Sequence, residues 1–380
     1  MAKRAKNKKG GFKGLLLILL LAVLAVAWLA WRHYTVFIAQ PMHALRDGQQ
    51  VSVGKGSALP QLLRKLRVAG VEQGFDLEWQ VLARQLGAAG KLQVGDYALK
   101  NGMTPSELLR NIRDGKVVSY RFTLIDGWNI RDLRKALARA EPMKHTIDAM
   151  SDAQLMAALG HAGQHPEGRF LPETYQYNVG GSDIDVLKQA HAAMDKALAA
   201  AWSSRAQDLP LKTPEEALIL ASIVEKESGV ADDRPKVAGV FLRRLGKGMR
   251  LETDPTVIYG MGAAYAGNVR KKDLQTDTPY NTYLRAGLPP TPISMPGKAA
   301  LQAVTHPDGG DALYFVASGD GSGRSLFAST YEAHQANVRA YLARYRAGLA
   351  KGPLTGTSTA ADESDPATSP APAPAGAGKP

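Results

Sequence analysis

Cysteine is absent from this 380-residue chain. No disulfide framework and no thiolate metal site can therefore exist, although the compartment stays open on that ground. Histidine is sparse, with eight residues, and none sits in an HExxH pattern. His161 and His165 have His-x3-His spacing, but the adjoining Gly163 and Pro166 mark a surface loop. No metal and no cofactor are expected. Acidic residues are missing from the first 13 positions, where Lys3, Arg4, Lys6, Lys8, Lys9 and Lys13 carry half of the net charge of +12. No mixture of aromatic and basic residues follows that run, so nucleic acid is not the expected partner. No convincing internal repeat is present. Large apolar residues nearly vanish from 351–380, a stretch of Pro, Ala, Ser, Thr and Gly that cannot offset its ordering entropy and is expected to be disordered.

Directly after the basic segment (1–14) comes an uncharged apolar run, long enough at 15–32 to cross a bilayer. Trp28 and Trp31 suit the far interface, and Arg32 and His33 end the run. The positive-inside rule places the N-terminus in the cytoplasm and the remainder outside the cytoplasmic membrane. Tryptophans are poor residues for a cleavage site, so a single-pass, uncleaved anchor is expected rather than a signal peptide. At 45% hydrophobic, the rest of the chain can bury a real core, and its length allows two or three domains.

The expected organisation is α+β. A short tether (33–48) leads to a small α+β module (49–118). That module has a strand signal at 51–53, amphipathic helices at 59–69 and 77–86, a strand and turn at 92–97, and a helix opened by Thr104-Pro105-Ser106-Glu107 and closed by Gly115. A larger mixed α+β unit follows (119–350). Its signals are a strand at 120–125, helices near 130–140, 152–159, 184–202, 214–228 and 236–245, a strand at 313–317 and a closing helix at 330–349. Beyond Gly248 the chain is rich in Gly, Pro, Tyr and Thr, as in loops that line a site.

The most informative stretch is 217–228, ALILASIVEKES, opened by Thr213-Pro214-Glu215-Glu216. Thr213 and Glu216 fit a capping box, with Pro214 at the first helical position. At about 100° per residue, Leu220, Ile223, Val224 and Glu227 share one stripe, while Glu225 points well away from it. A carboxyl held against apolar side chains is disfavoured as the anion, so its pKa rises. A general acid working near neutral pH needs that shift. The bland reading is a helix-end glutamate that reaches solvent.

Further segments hold more polar, aromatic and proline residues than a core requires: EGRFLPETY (167–175), ETDPTVIYG (252–260), PYNTY (279–283), GLPPTPISMPG (287–297) and THP (305–307). Aromatic faces stack on pyranose C–H groups, and amides and carboxylates bind hydroxyls. Each taken singly could be a turn or a cap, with Asp254 before Pro255 a natural N-cap and Asn281 a loop cap. Glu173, Asp254, Tyr280 and Asn281 are the candidates for positioning a sugar substrate.

Together, and in this order, ASIVEKES, TDPTVIYG, PYNTYLRAGLPPTPIS-PG, THP and LYFVASGDG resemble the MltG/YceG-like endolytic murein transglycosylases, bacterial lyases that act on peptidoglycan. The resemblance covers nearly the whole chain except the tail. It implies that Glu227, the second glutamate of Glu-Lys-Glu, is the catalytic acid. It also implies a LysM-like fold for the small module, peptidoglycan glycan strands as substrate and a link to peptidoglycan synthases. Two departures stand out: Met295 where the family usually has Asn, and Arg324 and Ser325 where a His often follows the glycines.

The implied chemistry needs one carboxyl group. Glu227 protonates the oxygen between N-acetylmuramic acid and N-acetylglucosamine within nascent strands. The muramic acid's own 6-hydroxyl then traps the oxocarbenium-like centre, leaving a 1,6-anhydro end and terminating glycan elongation. An intramolecular nucleophile gains effective molarity, so a second catalytic carboxylate is not required. Two alternatives remain open at this point: a muramidase that uses water, and a wall-binding scaffold for synthases that does not cut.

Overall fold

The computed structural model describes residues 9–348, except residues 44, 47 and 179. Most of the basic segment and all of the 351–380 tail lie outside the described residues. The fold is mixed α+β and divides into two compact units, residues 1–120 with 177–180 and residues 121–176 with 181–380.

In the first unit, α1 (Lys9–Ala39) contains Gly14–Ala39, the helix among the described residues that is long and apolar enough to cross a membrane. Leu15, Leu19, Trp28 and Trp31 are exposed along it, as in a helix made for lipid. The expected tether takes a different form. The helix continues past Arg32 because Tyr34, Phe37 and Ile38 extend an apolar stripe at helical spacing. Phe37 is 3% exposed and meets Trp79 edge-on, with centroids 5.3 Å apart. Met42 and Leu45 are buried in the same core. Gly74, at φ +74°, makes room for this: a Cβ there would fall 2.2 Å from the Phe37 ring.

β1 (Gln50–Val53) pairs antiparallel with β2 (Gly95–Ala98), with Val51 opposite Tyr97. Between them lie α2 (Leu59–Val68) and α3 (Asp76–Gln85), and α4 (Pro105–Arg113) follows. The Thr104 hydroxyl caps α4 by accepting from the Glu107 N–H at 3.1 Å. Leu62, Leu66, Trp79, Leu82, Leu108 and Ile112 fill the core at the helical spacing read from the sequence.

β3 (Ser119–Thr123) pairs with β4 (Thr174–Asn178), and the second unit begins within β3, at Arg121. Between these strands are α5 (Ile130–Leu137) and α6 (Asp152–Leu159). Then come α7 (Asp183–Ser203), α8 (Pro214–Glu227), α9 (Arg234–Gly246), α10 (Asp254–Met261), the short α11 (Lys271–Leu274) and α12 (Lys298–Thr305). An antiparallel pair, β5 (Tyr314–Ala317) with β6 (Ser325–Ala328), precedes α13 (Tyr331–Arg346). α8 is the central element, buried from Ala217 to Val224 and packed against α7, α9, α10 and α12. Five of these elements were not read from the sequence: β4, β6, α10, α11 and α12. Tyr175 and Tyr177 of β4 do alternate inward, but the aromatic content of that segment suggested a binding loop.

Candidate active site

α8 positions the two glutamates of the Glu-Lys-Glu run. Its start is half of the expected capping box. The Thr213 hydroxyl accepts from the Glu216 N–H at 3.2 Å, but the Glu216 carboxylate accepts from the Lys212 N–H instead of returning to Thr213. Midway, buried Ser222 ties the helix to the Pro-rich segment 287–297, which runs along it as a strap. Its hydroxyl accepts from the Ile293 N–H at 2.9 Å, and its carbonyl accepts from the Ser294 hydroxyl at 3.0 Å. The strap is thus fixed to the helix that carries the acid.

Glu227 closes the last turn of α8, with Ser228 as its C-cap. The residue keeps part of its surface, yet its carboxyl group is closely surrounded. Burial pushes its pKa up to about 7, the Thr253 hydroxyl donates to Oε1 and opposes the shift, and the nearby Asp254 charge adds to it. The negative end of the helix dipole acts in the same direction as burial.

Glu225 does point away from Glu227, as the helical spacing predicts, but it does not reach solvent. Its side chain is 4% exposed. Burial raises its pKa, while the Gly297 N–H (3.0 Å) and the Arg234 guanidinium (3.3 Å) favour the anion. Glu225 therefore holds the far end of the strap.

The Thr253 hydroxyl reaches Glu227 because residues 250–254 are fastened at several points. Arg244, 8% exposed, donates to the carbonyls of Arg250 and Leu251 at 3.1 Å and to Glu252 Oε2 at 3.2 Å. The Glu252 N–H donates to the Thr282 carbonyl at 3.2 Å, and the Thr253 N–H donates to the Thr282 hydroxyl at 3.1 Å. Glu252 is held at φ +52°, a left-handed conformation uncommon for a non-glycine residue. Strain beside a buried carboxyl is a frequent mark of a functional site.

The sequence candidates separate in space. Asp254 occupies the first position of α10, with Thr253 as the N-cap residue, so Asp254 is not the cap that its place before Pro255 suggested. Its carboxylate accepts from the Tyr283 hydroxyl at 2.6 Å, burial raises its pKa, and its charge acts on Glu227. The Tyr283 phenol is held far above its usual pKa by burial and by the charges of Asp254, Glu227 and Glu252. Glu227, Thr253, Asp254 and Tyr283 thus form one cluster.

Asn281 differs from its expected role as a sugar contact. It is fully buried, and its amide donates to the Leu274 and Thr276 carbonyls (3.0 and 2.7 Å) while its carbonyl accepts from the Tyr283 N–H (2.9 Å). Its polar atoms are spent on its own loop, which they shape. Tyr280 bonds the Thr291 hydroxyl at 2.8 Å and packs edge-on against Tyr259, with centroids 4.8 Å apart. Glu173 is exposed and paired with Lys298 at the start of α12. No hydrogen bond among the described residues joins it to the Glu227 cluster.

Sequence reasoning missed Glu167, the buried acid of the segment from which it chose Glu173. Glu167 is 0% exposed. Burial pushes its pKa up to about 7, against the Ile130 N–H and the Tyr259 hydroxyl, which donates at 3.0 Å. The available signal was the Gly168 that follows it. Gly168 sits at φ +78°, and a Cβ there would lie 2.6 Å from Pro292 of the strap. Tyr259 and Arg244 were also missed as positioning groups.

His161 does not group with His165. It stacks on His191, with centroids 3.7 Å apart and planes 17° apart, and Asp195 Oδ2 lies 3.1 Å from His191 Nδ1. One donor atom from each of the three falls within 4.8 Å of the others. Nearly parallel rings point their in-plane lone pairs side by side, which does not converge them on an ion. Both departures from the family pattern lie toward the C-terminal half of α8 and the turn that follows it. Met295 is buried in the strap, its N–H donating to the Trp128 carbonyl at 2.6 Å, and Arg324 pairs at 3.0 Å with Asp232 in the turn before α9.

A carboxyl group whose pKa is pushed up to about 7, beside a second carboxyl and the Thr253 and Tyr283 hydroxyls, is the equipment of a general acid in a mixed α+β domain. Comparison with known proteins assigns the particular group. The YceG-like family matches residues 51–340, and the chain belongs to that family. An endolytic murein transglycosylase of Bacillus subtilis (strain 168) is 29% identical over 303 residues, spanning 75% of this chain and 82% of that one. An endolytic murein transglycosylase of Streptococcus pneumoniae (serotype 2, strain D39) is 26% identical over 322 residues, spanning 76% of this chain but only 57% of the relative. A crystal structure of a YceG-like protein from Listeria monocytogenes is 27% identical, with a TM-score of 0.47 over 76% of this chain and 98% of that one.

Proposed function

We propose that this chain is a membrane-anchored lytic transglycosylase that cuts within peptidoglycan glycan strands, with Glu227 as its acid. The observation that carries the reading is the Glu227 carboxyl, held protonated to about pH 7 at the end of α8. The names of the B. subtilis and S. pneumoniae relatives support the same activity. Glu227 protonates the glycosidic oxygen of a MurNAc-GlcNAc bond. The glycosidic bond breaks, and the muramic acid 6-hydroxyl attacks the anomeric carbon. That hydroxyl returns its proton to the Glu227 carboxylate, so the product carries a 1,6-anhydro end and no water is consumed. Asp254 and Tyr283 tune the acid, and Tyr280 and Tyr259 offer aromatic faces for a sugar.

Three further statements rest on this reading. The apolar α1 is taken as an inner-membrane anchor with the N-terminus cytoplasmic and the enzyme on the outer side. The order strand, helix, helix, antiparallel strand over residues 50–98 supports a LysM-like, glycan-holding module. A link to peptidoglycan synthases, with cutting that ends glycan elongation, rests on the family resemblance alone.

The test is mass spectrometry of the products formed by the full chain on isolated glycan strands, with Glu227→Gln in parallel. Internal fragments with 1,6-anhydro ends are expected, reduced by about 10²–10⁴ in rate in the variant. Reducing ends would identify a muramidase. Unchanged cutting by Glu227→Gln would remove the residue from the chemistry, and no cutting by the wild type would move weight to a scaffold.

A further inference from the structure

The first unit carries an exposed apolar stripe that the reaction does not use. Phe75 is 71% exposed, Leu77 70% and Val81 43%. Leu77 and Val81 are four residues apart on α3, so they share one face, and exposed Arg84 continues it. The opposite face buries Trp79, Leu82 and Ala83.

Contacts between α1 and α3 show which way the stripe faces. At Phe37, α1 touches the buried face of α3 through Trp79. One turn nearer the N-terminus it touches the flank. His33 Nδ1 lies 2.7 Å from Glu78 Oε1, and the Tyr34 hydroxyl donates to Gln85 at 2.6 Å. The His33 ring also stacks on Phe75, with centroids 5.8 Å apart. Moving along α1 toward its lipid-suited stretch therefore carries the contact around α3 from core to flank. The next face around the helix is Leu77, Val81 and Arg84. His33 lies only two residues past Trp31, about 3 Å along the axis. The stripe is therefore level with the end of the apolar span and faces it.

We infer that α3 lies on the bilayer surface, with Phe75, Leu77 and Val81 entering the interfacial layer of the lipid and Arg84 among the headgroups. The occupant of the stripe is thus lipid. The argument is continuity: the rigid helix that supplies the span also holds α3 at its rim. An amphipathic helix parallel to the membrane, apolar below and basic at its edge, matches interfacial binding. A second attachment would fix the tilt of the first unit relative to the bilayer. The inference rests on the reading of α1 as an anchor.

The absence of native cysteine makes the test clean. Nitroxide labels on Leu77→Cys, Val81→Cys and, as a reference in the span, Leu20→Cys are placed in the full chain. The protein is reconstituted in phosphatidylethanolamine–phosphatidylglycerol vesicles, and label relaxation by oxygen and by a water-soluble nickel chelate is compared. The expected result is a label at 77 and at 81 favoured by oxygen over nickel, at a depth shallower than 20. Labels at 77 and 81 open to nickel, with 20 protected, would overturn the inference and leave the anchor standing. Labels at 77 and 81 shielded from both reagents would mean a protein partner and would overturn it too. A label at 20 open to nickel would remove the anchor itself, and this inference with it.

Discussion

Replacing Glu227 by glutamine should make the protein more stable above neutral pH while removing its activity. Folding moves this carboxyl from an ordinary value of 4.5 to about 7, chiefly by burial. The folded state therefore keeps its proton up to about pH 7, whereas the unfolded chain releases it near 4.5. Between those values the folded state binds more protons than the unfolded one, so stability falls as pH rises. Below 4.5 both states are protonated and nothing is lost; above about 7 the full cost is present. At about 1.4 kcal/mol per pH unit that cost is at most about 3–4 kcal/mol. Water at the partly exposed residue screens some of it, so a gain of about 1–3 kcal/mol is expected for Glu227→Gln at pH ~8. Glutamine does not titrate, and its carbonyl still accepts from the Thr253 hydroxyl. Urea unfolding of wild type and variant, full chains in detergent, at pH ~5 and pH ~8 measures the effect. A stability difference that stays constant between the two pH values, or a wild type that is relatively more stable at the higher one, would refute the claim that burial sets this carboxyl's behaviour.

Cleavage by the wild type should fall as pH rises through about 7, as Glu227 loses its proton; a flat profile to pH ~9 would argue against a carboxylic acid in this role. Tyr283→Phe removes a hydrogen bond that stabilises the Asp254 carboxylate. It should raise the Asp254 pKa further, seen as an upward shift of its side-chain carboxyl NMR titration, with the fold retained. Asn281→Ala deletes the amide that donates to the Leu274 and Thr276 carbonyls and accepts from the Tyr283 N–H. It should cost about 1–3 kcal/mol and slow cleavage by loosening the loop, and denaturant unfolding with a product assay reads both. Phe37→Ala empties a buried aromatic site against Trp79. It should destabilise the first unit by about 3–5 kcal/mol, a loss that a mere tether could not produce.

Much of this protein was legible in the sequence because its signals are local. The apolar run at 15–32, the Thr-Pro starts of α4 and α8, and the stripe that places Glu227 depend on spacing along one helix. Glu225 shows the limit of that method. Helical spacing correctly turned it away from Glu227, but only the Pro-rich strap and Arg234, distant in sequence, decide that it is buried rather than wet. The same holds for Asn281, whose residue type suits a sugar contact as well as a loop clamp; the carbonyls that claim its amide come from the fold of its own loop. Glu167 and Glu173 are six positions apart in one segment, and the only local hint that separated them was the Gly168 that follows the first. One is enclosed by the Ile130 N–H and the Tyr259 hydroxyl, the other pairs with Lys298 at the surface. The tether became a helix because Phe37 found Trp79 across the unit. Sequence by itself determined the type of most helices and several strands, the apolar anchor-like helix and the helical face on which Glu227 lies, all set by neighbours within a few residues. Tertiary structure alone decided which carboxyl groups are desolvated, because desolvation depends on segments that meet in space, and desolvation is what raises a glutamate's pKa.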